Sequence, residues 1–319
     1  MSLVESGYTP IVLDNLSNSD IRVLDRVEQI CGVRPQACIA DINNIDAIDA
    51  LFAKHRFDAV IHFAGLKEVG ESVAKPQLYY QNNVAGSLAL LQAMATHNCY
   101  RLVFSSSATV YGDPKSVPVL ESSGLGATNP YGHSKLMIEQ ILGDLARTDN
   151  QWQISLLRYF NPVSAHPSGL IGENPDGIPS NLMPYIAQVG VGRLNCLSVY
   201  GDDYDTPDGT GLRDYIHVVD LADVHVKALQ ALHSKHGCQA YNVGTGTAYS
   251  VLDMVKAFER ASGQVIPYEI KARRKGDIAS CYANTDKAAD QLGWRARYGL
   301  DEMMSDLWRW QSANPNGYQ

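Results

Sequence analysis

The sequence lacks several features that would place it in common protein classes. It has no basic tail or stripe, because its 26 lysines and arginines are spread along 319 residues and are outnumbered by 34 acidic residues. A surface that tracks nucleic-acid phosphates is therefore not expected. Apolar runs such as 59–64 fall well short of the roughly 18 residues that cross a bilayer. The first residues also lack the basic and apolar segments of a signal peptide, so we expect a cytoplasmic protein with no membrane and no nucleic-acid partner.

Cysteine is scarce, and its spacing excludes two further classes. The six cysteines form no CxxC pair and show no ligand spacing with histidine, which argues against a disulfide framework and against a zinc site. His217 and His225 lie near a predicted strand and helix, where ordinary structural roles are the simpler interpretation. We expect reduced thiols and no bound metal.

The sequence does contain a regular alternation of short Val- and Ile-rich runs with amphipathic stretches. Buried strands are predicted at 10–14, 37–41, 59–63, 102–106 and 154–159, and the clearest helices at 45–55, 88–97 and 131–145. Strands that alternate with helices predict an α/β fold with a doubly wound parallel sheet.

The texture changes after Asn161, where five prolines mark a loop-rich region. We expect a Rossmann-like domain over 1–160 and a smaller substrate-binding lobe over 161–319, from which some segments return to the first domain. The C-terminal NPNGYQ is expected to be a frayed tail.

Asp14 closes the first predicted strand and Asn15 follows it, where a dinucleotide-binding unit places the acid that binds the adenosine ribose. That acid normally follows a glycine-rich turn by about 20 residues, so no such loop precedes it in this sequence. Gly244 and Gly246 form a later GxG after a predicted strand, with Ser250 placed to cap the next helix. A third glycine is missing because Tyr249 stands there, so this turn is a poor candidate for a pyrophosphate loop.

A YxxxK motif begins one of the clearest predicted helices. Tyr131 and Lys135 are four residues apart, so their side chains lie on one helix face. Tyr111 and Lys115 share this spacing, but Gly112, Asp113 and Pro114 between them favour a turn. In isolation an ordinary surface pair is the simpler interpretation of Tyr131 and Lys135.

Three serines give the motif its context, because Ser105, Ser106 and Ser107 end the strand LVFSSS. Ligands of open α/β sheets bind at such strand ends. A serine, a tyrosine and a lysine can oxidise an alcohol: the tyrosine takes the hydroxyl proton, the lysine stabilises its phenolate and the serine orients the oxygen. Activity near neutral pH requires the tyrosine pKa to fall by roughly 3 units from its usual value of about 10. A close ammonium and an oxidised nicotinamide are expected to provide this.

Eight stretches in order resemble the UDP-glucose 4-epimerases, which are extended short-chain dehydrogenases/reductases. They are VLDNLSNS, IHFAGLK, FSSSATVYGD, YGHSK, LRYFNP, NLMPYIAQV, GTGLRDYIHV and ARRKGD. The resemblance spans essentially the whole chain. It implies an isomerase of galactose and other carbohydrate metabolism with bound NAD and a UDP-hexose substrate, which oxidises the C4 hydroxyl, lets the 4-keto sugar rotate and returns the hydride to the opposite face. It also implies a homodimer packed through the helices that begin near Leu88 and Tyr131.

The resemblance also assigns individual residues. It makes Tyr131 the base, Lys135 its activator and nicotinamide-ribose ligand, and Ser107 the group that positions the hydroxyl. The further cofactor contacts that it implies are Asp14, Asn15, Leu16, Ser17, Asn18, Ser19, Asp41, Ile42, Phe63, Ala64, Gly65, Leu66, Lys67, Asn82, Ser105 and Phe160. The substrate contacts that it implies are Ser107, Asn161, Asn181, Ser198, Tyr200, Arg213, Arg274, Asp277 and Cys281, with both arginines suited to a diphosphate.

Two departures from the family pattern carry expectations. Cys281 stands where members confined to glucose and galactose carry tyrosine, so we expect UDP-GlcNAc and UDP-GalNAc to be accepted as well, unless Tyr282 refills the space. The family's first strand and glycine-rich loop have no counterpart before Met1. Because that strand contributes apolar burial on the order of 10 kcal/mol, we expect the chain to fold poorly or to bind NAD weakly, and the natural protein to begin upstream.

Two alternatives remain at this point. A nucleotide-sugar 4,6-dehydratase shares the scaffold, but it needs an acid/base pair beside the serine, and here those positions hold Ala108 and Thr109. A cofactor-deficient UDP-sugar-binding remnant is the other alternative, and the intact Ser107, Tyr131 and Lys135 argue against it.

Overall fold

The computed structural model describes residues 1–175, 177–274 and 276–318. The strands are β1 (Ile11–Asp14), β2 (Gln36–Ile39), β3 (Val60–His62), β4 (Arg101–Ser107), β5 (Gln153–Tyr159), β6 (Asn161–Val163), β7 (Leu197–Tyr200), β8 (Leu212–His217), β9 (Gly237–Val243), β10 (Ala248–Ser250), β11 (Tyr268–Lys271) and β12 (Ser280–Cys281). The helices are α1 (Ser2–Glu5), α2 (Val23–Cys31), α3 (Ile45–Lys54), α4 (Val69–Ala74), α5 (Pro76–Tyr79), α6 (Gly86–Thr96), α7 (Pro130–Thr148), α8 (Leu182–Gly190), α9 (Val218–Ala231), α10 (Val251–Ser262), α11 (Asp286–Leu292) and α12 (Leu300–Ala313).

A parallel sheet of order β3-β4-β5-β9 forms the centre of the molecule. Its strand β4 is buried along nearly its whole length, as the continuous apolar run Leu102–Phe104 predicts for a strand covered on both faces. Helices α3, α6 and α7 pack on one face, while α9 and α11 pack on the other. The α/β fold predicted from the sequence is confirmed, and every predicted strand and helix is present.

A second hydrophobic cluster is built mainly from α8, α10 and α12 with strands β7 and β8. Met254, Phe258 and Met303 are fully buried in it. Strand β8 pairs with β6, β10 and β12, and β7 pairs with β11. The strand β9 and the helix α9 lie in sequence within this C-terminal part, yet they complete the first sheet and its cover.

Strands β1 and β2 form a parallel pair of their own, and in the described residues neither is hydrogen-bonded to the four-stranded sheet. A groove of about 1320 Å³ lies between β1 and β3 and is lined by residues of these two strands. The carboxyl ends of β1 and β3 open into it, and many of the cofactor residues implied by the resemblance line it, among them Asp14, Ile42 and Asn82.

The C-terminal tail is not frayed, so the expectation from its polar composition is wrong. The hydroxyl of Tyr318 donates to the Gly172 carbonyl oxygen at 2.9 Å, and its ring packs against Trp310 with the centroids 4.9 Å apart. An aromatic anchor thus docks a segment that composition alone assigns to solvent. None of the helices described is both long and apolar enough to cross a membrane.

Candidate active site

Ser107 ends strand β4 and starts a 3₁₀ turn over Ala108–Tyr111. Its hydroxyl oxygen accepts hydrogen bonds from the Thr109 amide at 3.2 Å and from the Thr109 hydroxyl at 3.0 Å. Because both of these groups donate to Ser107, its own proton is left to point elsewhere. Sequence reasoning missed this role of Thr109.

Tyr131 and Lys135 lie in the first two turns of α7. The helix begins at Pro130, and the Asn129 side chain caps it by accepting from the Gly132 amide, which is the usual start signal. Both functional side chains are buried, at 8% and 4% exposure. Lys135 Nζ donates to the Ser105 carbonyl oxygen at 2.7 Å. This hydrogen bond fixes the lysine side chain against the strand that ends in Ser107.

The protonation of this cluster is dominated by burial. Burial lowers the pKa of Lys135 to about 8, and the charge of Glu139 raises it. Burial raises the pKa of Tyr131, as does nearby Tyr159, and the hydrogen bond with Ser107 lowers it only in part. The expected depression of the Tyr131 pKa by its lysine is therefore not produced by these side chains, because desolvation of the phenolate outweighs them.

The loop 63–67 follows β3 and is held by Asn83. The Leu66 amide donates to Asn83 Oδ1 at 2.8 Å, and Asn83 Nδ2 donates to the Leu66 carbonyl at 2.9 Å. A Cβ at Gly65 would lie 3.3 Å from Asn83 Oδ1 and 3.6 Å from Lys135 Nζ. The loop therefore passes close to the Lys135 ammonium group.

The neighbours of that loop sit on the same groove. Asn82 lies in a π-helical turn (Tyr80–Ala85), and its amide donates to Asn83 Oδ1 at 3.0 Å. Lys67 lines the groove and pairs with Glu173 at 3.4 Å. Sequence reasoning named Asn82 but missed Asn83, whose only signal was its place beside Asn82.

Asp14 stands at the carboxyl end of β1, on the groove. Its Oδ1 accepts from the Leu16 amide and the Ser19 hydroxyl, each at 2.7 Å. In the described part of the chain its Oδ2 accepts no hydrogen bond, which leaves an acceptor for a ligand hydroxyl. Asn15, Ser17 and Asn18 line the groove with it.

Asp41 follows β2 and faces this turn. It accepts from the Asn15 amide group at 2.8 Å and from the Asn43 backbone amide at 2.8 Å, and these hydrogen bonds lower its pKa, that of Asn43 most. The next residue, Ile42, is buried beneath Gly86, where a Cβ would lie 2.6 Å from Ile42 Cγ2.

The expected diphosphate ligands gather on the second lobe. The guanidinium of Arg274 lies 4.7 Å from the Tyr200 ring centroid and pairs with Asp277 at 2.9 Å. Arg213 on β8 donates to the Leu212 carbonyl at 2.8 Å and, among the described side chains, has no carboxylate within ion-pair distance. Burial raises the pKa of Tyr204, and the positive charges of Arg273, Arg213 and Arg274 oppose that rise. Lys275 of the ARRKGD stretch lies outside the described residues.

The remaining expected substrate residues occupy element ends. Asn161 begins β6, Asn181 is the residue before α8, and Ser198 lies in β7 with partial exposure. Cys281 is buried on β12, in register with Arg213, and shares a small hydrophobic cluster with Phe160. Burial raises the pKa of the Cys281 thiol to about 11, so the thiol is neutral near pH 7.

The backbone amides of the turn at Gly244 and Gly246 are hydrogen-bonded to a carboxylate of the protein itself. Asp214 accepts from the Thr245 amide at 2.8 Å, the Gly246 amide at 2.9 Å and the Ala283 amide at 3.1 Å. A Cβ at Gly244 would lie 2.3 Å from Asp214 Oδ2. The sequence-based rejection of this turn as a phosphate loop now has a physical reason, because its amides already bind an anion.

Sequence reasoning also missed Glu139 and Tyr159. Glu139 is buried one turn beyond Lys135, and the spacing 131, 135, 139 on one helix face was the available signal. Tyr159 on β5 contacts the Ser105 hydroxyl and is the aromatic group that raises the Tyr131 pKa. Among the described residues no group of three or more His, Cys, Asp or Glu is arranged to bind a metal ion.

Comparison with known proteins places this geometry among characterised enzymes. A sequence-family profile described as GDP-mannose 4,6 dehydratase matches residues 1–307. The UDP-glucose 4-epimerase of Bacillus subtilis (strain 168) is 58% identical over 319 residues, covering 100% of this chain and 94% of the relative. That of Dictyostelium discoideum is 56% identical over 319 residues, covering 100% of this chain and 93% of the relative. The crystal structure of UDP-glucose 4-epimerase from Bifidobacterium longum in complex with NAD+ and UDP superposes with a TM-score of 0.96 at 54% identity, covering 99% of this chain and 94% of that one.

Proposed function

This chain belongs to the UDP-glucose 4-epimerase family, and on that basis we propose that it is an NAD-dependent isomerase that inverts C4 of a UDP-hexose. The observation that carries the proposal is the burial of Ser107, Tyr131 and Lys135 together at the carboxyl end of β4. Ala108 and Thr109 follow Ser107 and supply no acid/base pair, which favours epimerisation over the dehydration named in the family profile.

The groove residues fit a dinucleotide. Asp14 offers a carboxylate oxygen to the vicinal hydroxyls of a ribose, and Gly65 allows a ligand to approach Lys135 closely. We assign the adenosine side to 14–19 with Asp41 and Ile42, and the nicotinamide side to 63–67, Asn82, Ser105 and Phe160. These residues would hold NAD, which would supply the hydride acceptor and donor that inversion at the sugar C4 needs.

The chain's own residues then move the proton and hold the sugar. Tyr131 takes the C4 hydroxyl proton on its phenolic oxygen, and Ser107 orients that hydroxyl by donating its proton. Lys135 keeps a positive charge beside the phenolate. Since burial raises the Tyr131 pKa in these surroundings, proton removal would depend on the positive charge of a bound nicotinamide ring to lower that pKa.

Substrate binding is assigned to the second lobe. Arg213 and Arg274 suit the two phosphates because a guanidinium matches phosphate oxygens. We assign Tyr200, Ser198, Asp277, Asn161 and Asn181 to the same substrate. We therefore retain the division into 1–160 for the cofactor and 161–319 mainly for the UDP-sugar. Firm binding of UDP and weak binding of the hexose let the keto sugar turn over.

Cys281 supports a wider choice of sugar. Its small side chain packs beside Phe160, and Tyr282, the residue that follows β12, is expected on the opposite side because adjacent residues of an extended chain alternate. Tyr282 is thus poorly placed to refill the space. We propose that UDP-GlcNAc and UDP-GalNAc are also substrates. Cys281→Tyr should abolish turnover of the N-acetyl sugars and preserve that of UDP-glucose. A wild-type chain that converts UDP-glucose but no N-acetyl sugar would contradict this.

A homodimer is supported by an apolar patch on α4, α5, α6 and α7. Its members Val69, Val73, Leu78, Leu88 and Met137 are 42% to 65% exposed. Light scattering should give a dimer mass that Met137→Glu lowers to the monomer mass. Val265→Glu, at a still more exposed apolar residue of the second lobe, should leave the dimer intact.

We also propose a cytoplasmic location, since all six cysteines carry free thiols.

The activity itself is tested by following the UDP-glucose to UDP-galactose equilibrium with NAD+ in excess. Tyr131→Phe should lower kcat about 10³-fold, whereas Tyr100→Phe, outside the site, should not. Retained turnover in Tyr131→Phe would refute the assignment. The NAD released on denaturation, without additions, tests whether the cofactor is held weakly and separates an enzyme from a sugar-binding remnant.

A further inference from the structure

A buried carboxylate stands directly behind the catalytic lysine. Glu139 is 5% exposed and lies one helical turn after Lys135 and two after Tyr131. Residues at this spacing share one helix face, so the three side chains form a stripe that faces the sheet. A charged residue in a fully packed interface of this kind needs a specific partner.

Its partner is Arg158 on β5. Arg158 Nε donates to Glu139 Oε1 at 2.9 Å, and Arg158 Nη2 donates to Glu139 Oε2 at 2.6 Å. This two-point geometry fixes orientation as well as distance. The Ser106 hydroxyl donates to Glu139 Oε1 at 2.5 Å, and Ser106 is paired in register with Arg158.

One carboxylate thus connects α7 to two adjacent strands at the site. The neighbours of Ser106 are Ser105, whose carbonyl oxygen accepts from Lys135, and Ser107. On the other strand, Arg158 directly precedes Tyr159, which contacts the Ser105 hydroxyl. A shift of Glu139 would therefore move the lysine relative to the strand ends that carry the hydroxyl groups.

The far side of Arg158 is also occupied. Its Nη1 donates to the Tyr111 hydroxyl at 3.0 Å and to the Glu121 carbonyl at 3.2 Å, and Tyr111 donates to Asn242 Oδ1 at 2.6 Å. On this side of Arg158 the hydrogen-bond network therefore ends in uncharged groups. Because buried ion pairs contribute little net stability, stability alone does not account for a pair placed at this point.

We propose that Glu139, clamped by Arg158 and Ser106, is a positioning residue that fixes Lys135 relative to the Ser107 end of β4 for the epimerisation proposed above. This inference rests on the proposed function. Glu139 also acts on Lys135 electrostatically, because its negative charge favours the protonated form of the lysine. The titratable groups that face Lys135 or Glu139 are His62 on β3, Tyr131 on α7, Arg158 and Tyr159 on β5, Cys238 on β9 and Tyr111 of the 3₁₀ turn.

The primary test is the pH titration of Lys135. The ¹³Cε chemical shift of the lysine reports its protonation, and the signal is assigned by its loss in Lys135→Arg. Glu139→Gln should lower the titration midpoint by about one pH unit, and Glu139→Asp, which keeps the charge, should restore most of it. Tyr111→Phe removes a hydrogen bond from the same network away from the carboxylate and should leave the midpoint unchanged. An unchanged midpoint in Glu139→Gln, or an equal change in Tyr111→Phe, would overturn the proposal.

Kinetics provide the second readout. Glu139→Gln should lower kcat about 30-fold with KM within about twofold, since misplacement affects the chemical step, and the alkaline limb of its pH profile should move to lower pH. If Glu139→Gln does not fold, Ser106→Ala decides: a fall in kcat at constant KM supports the tether, and an unchanged kcat overturns it. A wild-type chain without epimerase activity would refute the proposed function and leave the Lys135 titration to judge Glu139.

Discussion

Replacing Lys135 by methionine should abolish activity and yet make the protein more stable. The ammonium is buried at 4% exposure, and burial lowers its pKa from 10.5 to about 8 against the opposing effect of Glu139. At neutral pH the folded chain therefore keeps Lys135 protonated, although the buried ammonium group loses its proton more readily than an exposed one. Keeping this charge buried lowers the stability of the fold. Methionine fills a similar volume without charge, so this cost disappears.

The magnitude follows from the two pKa values. The difference between 10.5 and about 8, at about 1.36 kcal/mol for each pH unit, amounts to about 3 kcal/mol. Methionine also loses the hydrogen bond from Nζ to the Ser105 carbonyl oxygen, which costs about 1 to 2 kcal/mol. The free energy of unfolding should therefore rise by about 1 to 2 kcal/mol at pH 7.

The sign of the pH dependence is determined by the lowered pKa. Between pH 8 and 10.5 the unfolded chain keeps the proton that the folded wild type releases, so wild-type stability rises with pH in that window. The advantage of Lys135→Met should thus be full below pH 8 and shrink steadily towards pH 10.5. Urea unfolding at several pH values measures it, with Lys256→Met on the exposed face of α10 as the surface control. A destabilised Lys135→Met at pH 7, or a difference that does not change with pH, would refute the reasoning.

Three smaller changes test other contacts. Thr109→Val removes one donor to the Ser107 hydroxyl and should lower kcat about tenfold at constant KM, whereas Thr109→Ser should not; equal kcat in both would refute the orienting role. Asp214→Asn places an amide group among backbone donors and should lower the free energy of unfolding by about 2 kcal/mol in urea titrations, and no loss would mean that the carboxylate does not hold the glycine turn. Tyr318→Phe removes the bond to Gly172 and should cost about 1 kcal/mol, while a neutral result in thermal unfolding would indicate a frayed tail after all.

Strand β4 and helix α7 show how much of the site could be predicted from the sequence alone. The apolar run before Ser105 and the period of 131–145 predicted both elements, and the spacing of Tyr131 and Lys135 placed them on one face. The serines at the strand end then located the site, because ligands bind at the carboxyl ends of parallel strands. These inferences use only neighbours in the chain, and the structure places all three side chains together.

What only the tertiary structure decided depends on partners that are distant in sequence. Glu139 meets Arg158 across 19 residues, Gly246 meets Asp214 across 32, and Tyr318 meets Gly172 across 146. The raised pKa of Tyr131 likewise arises from burial that no local pattern reveals. Spacing along a helix or strand is set by backbone geometry and can be read from the sequence. The partner of a buried charge, and the loss of water around it, follow from how separate elements pack against one another.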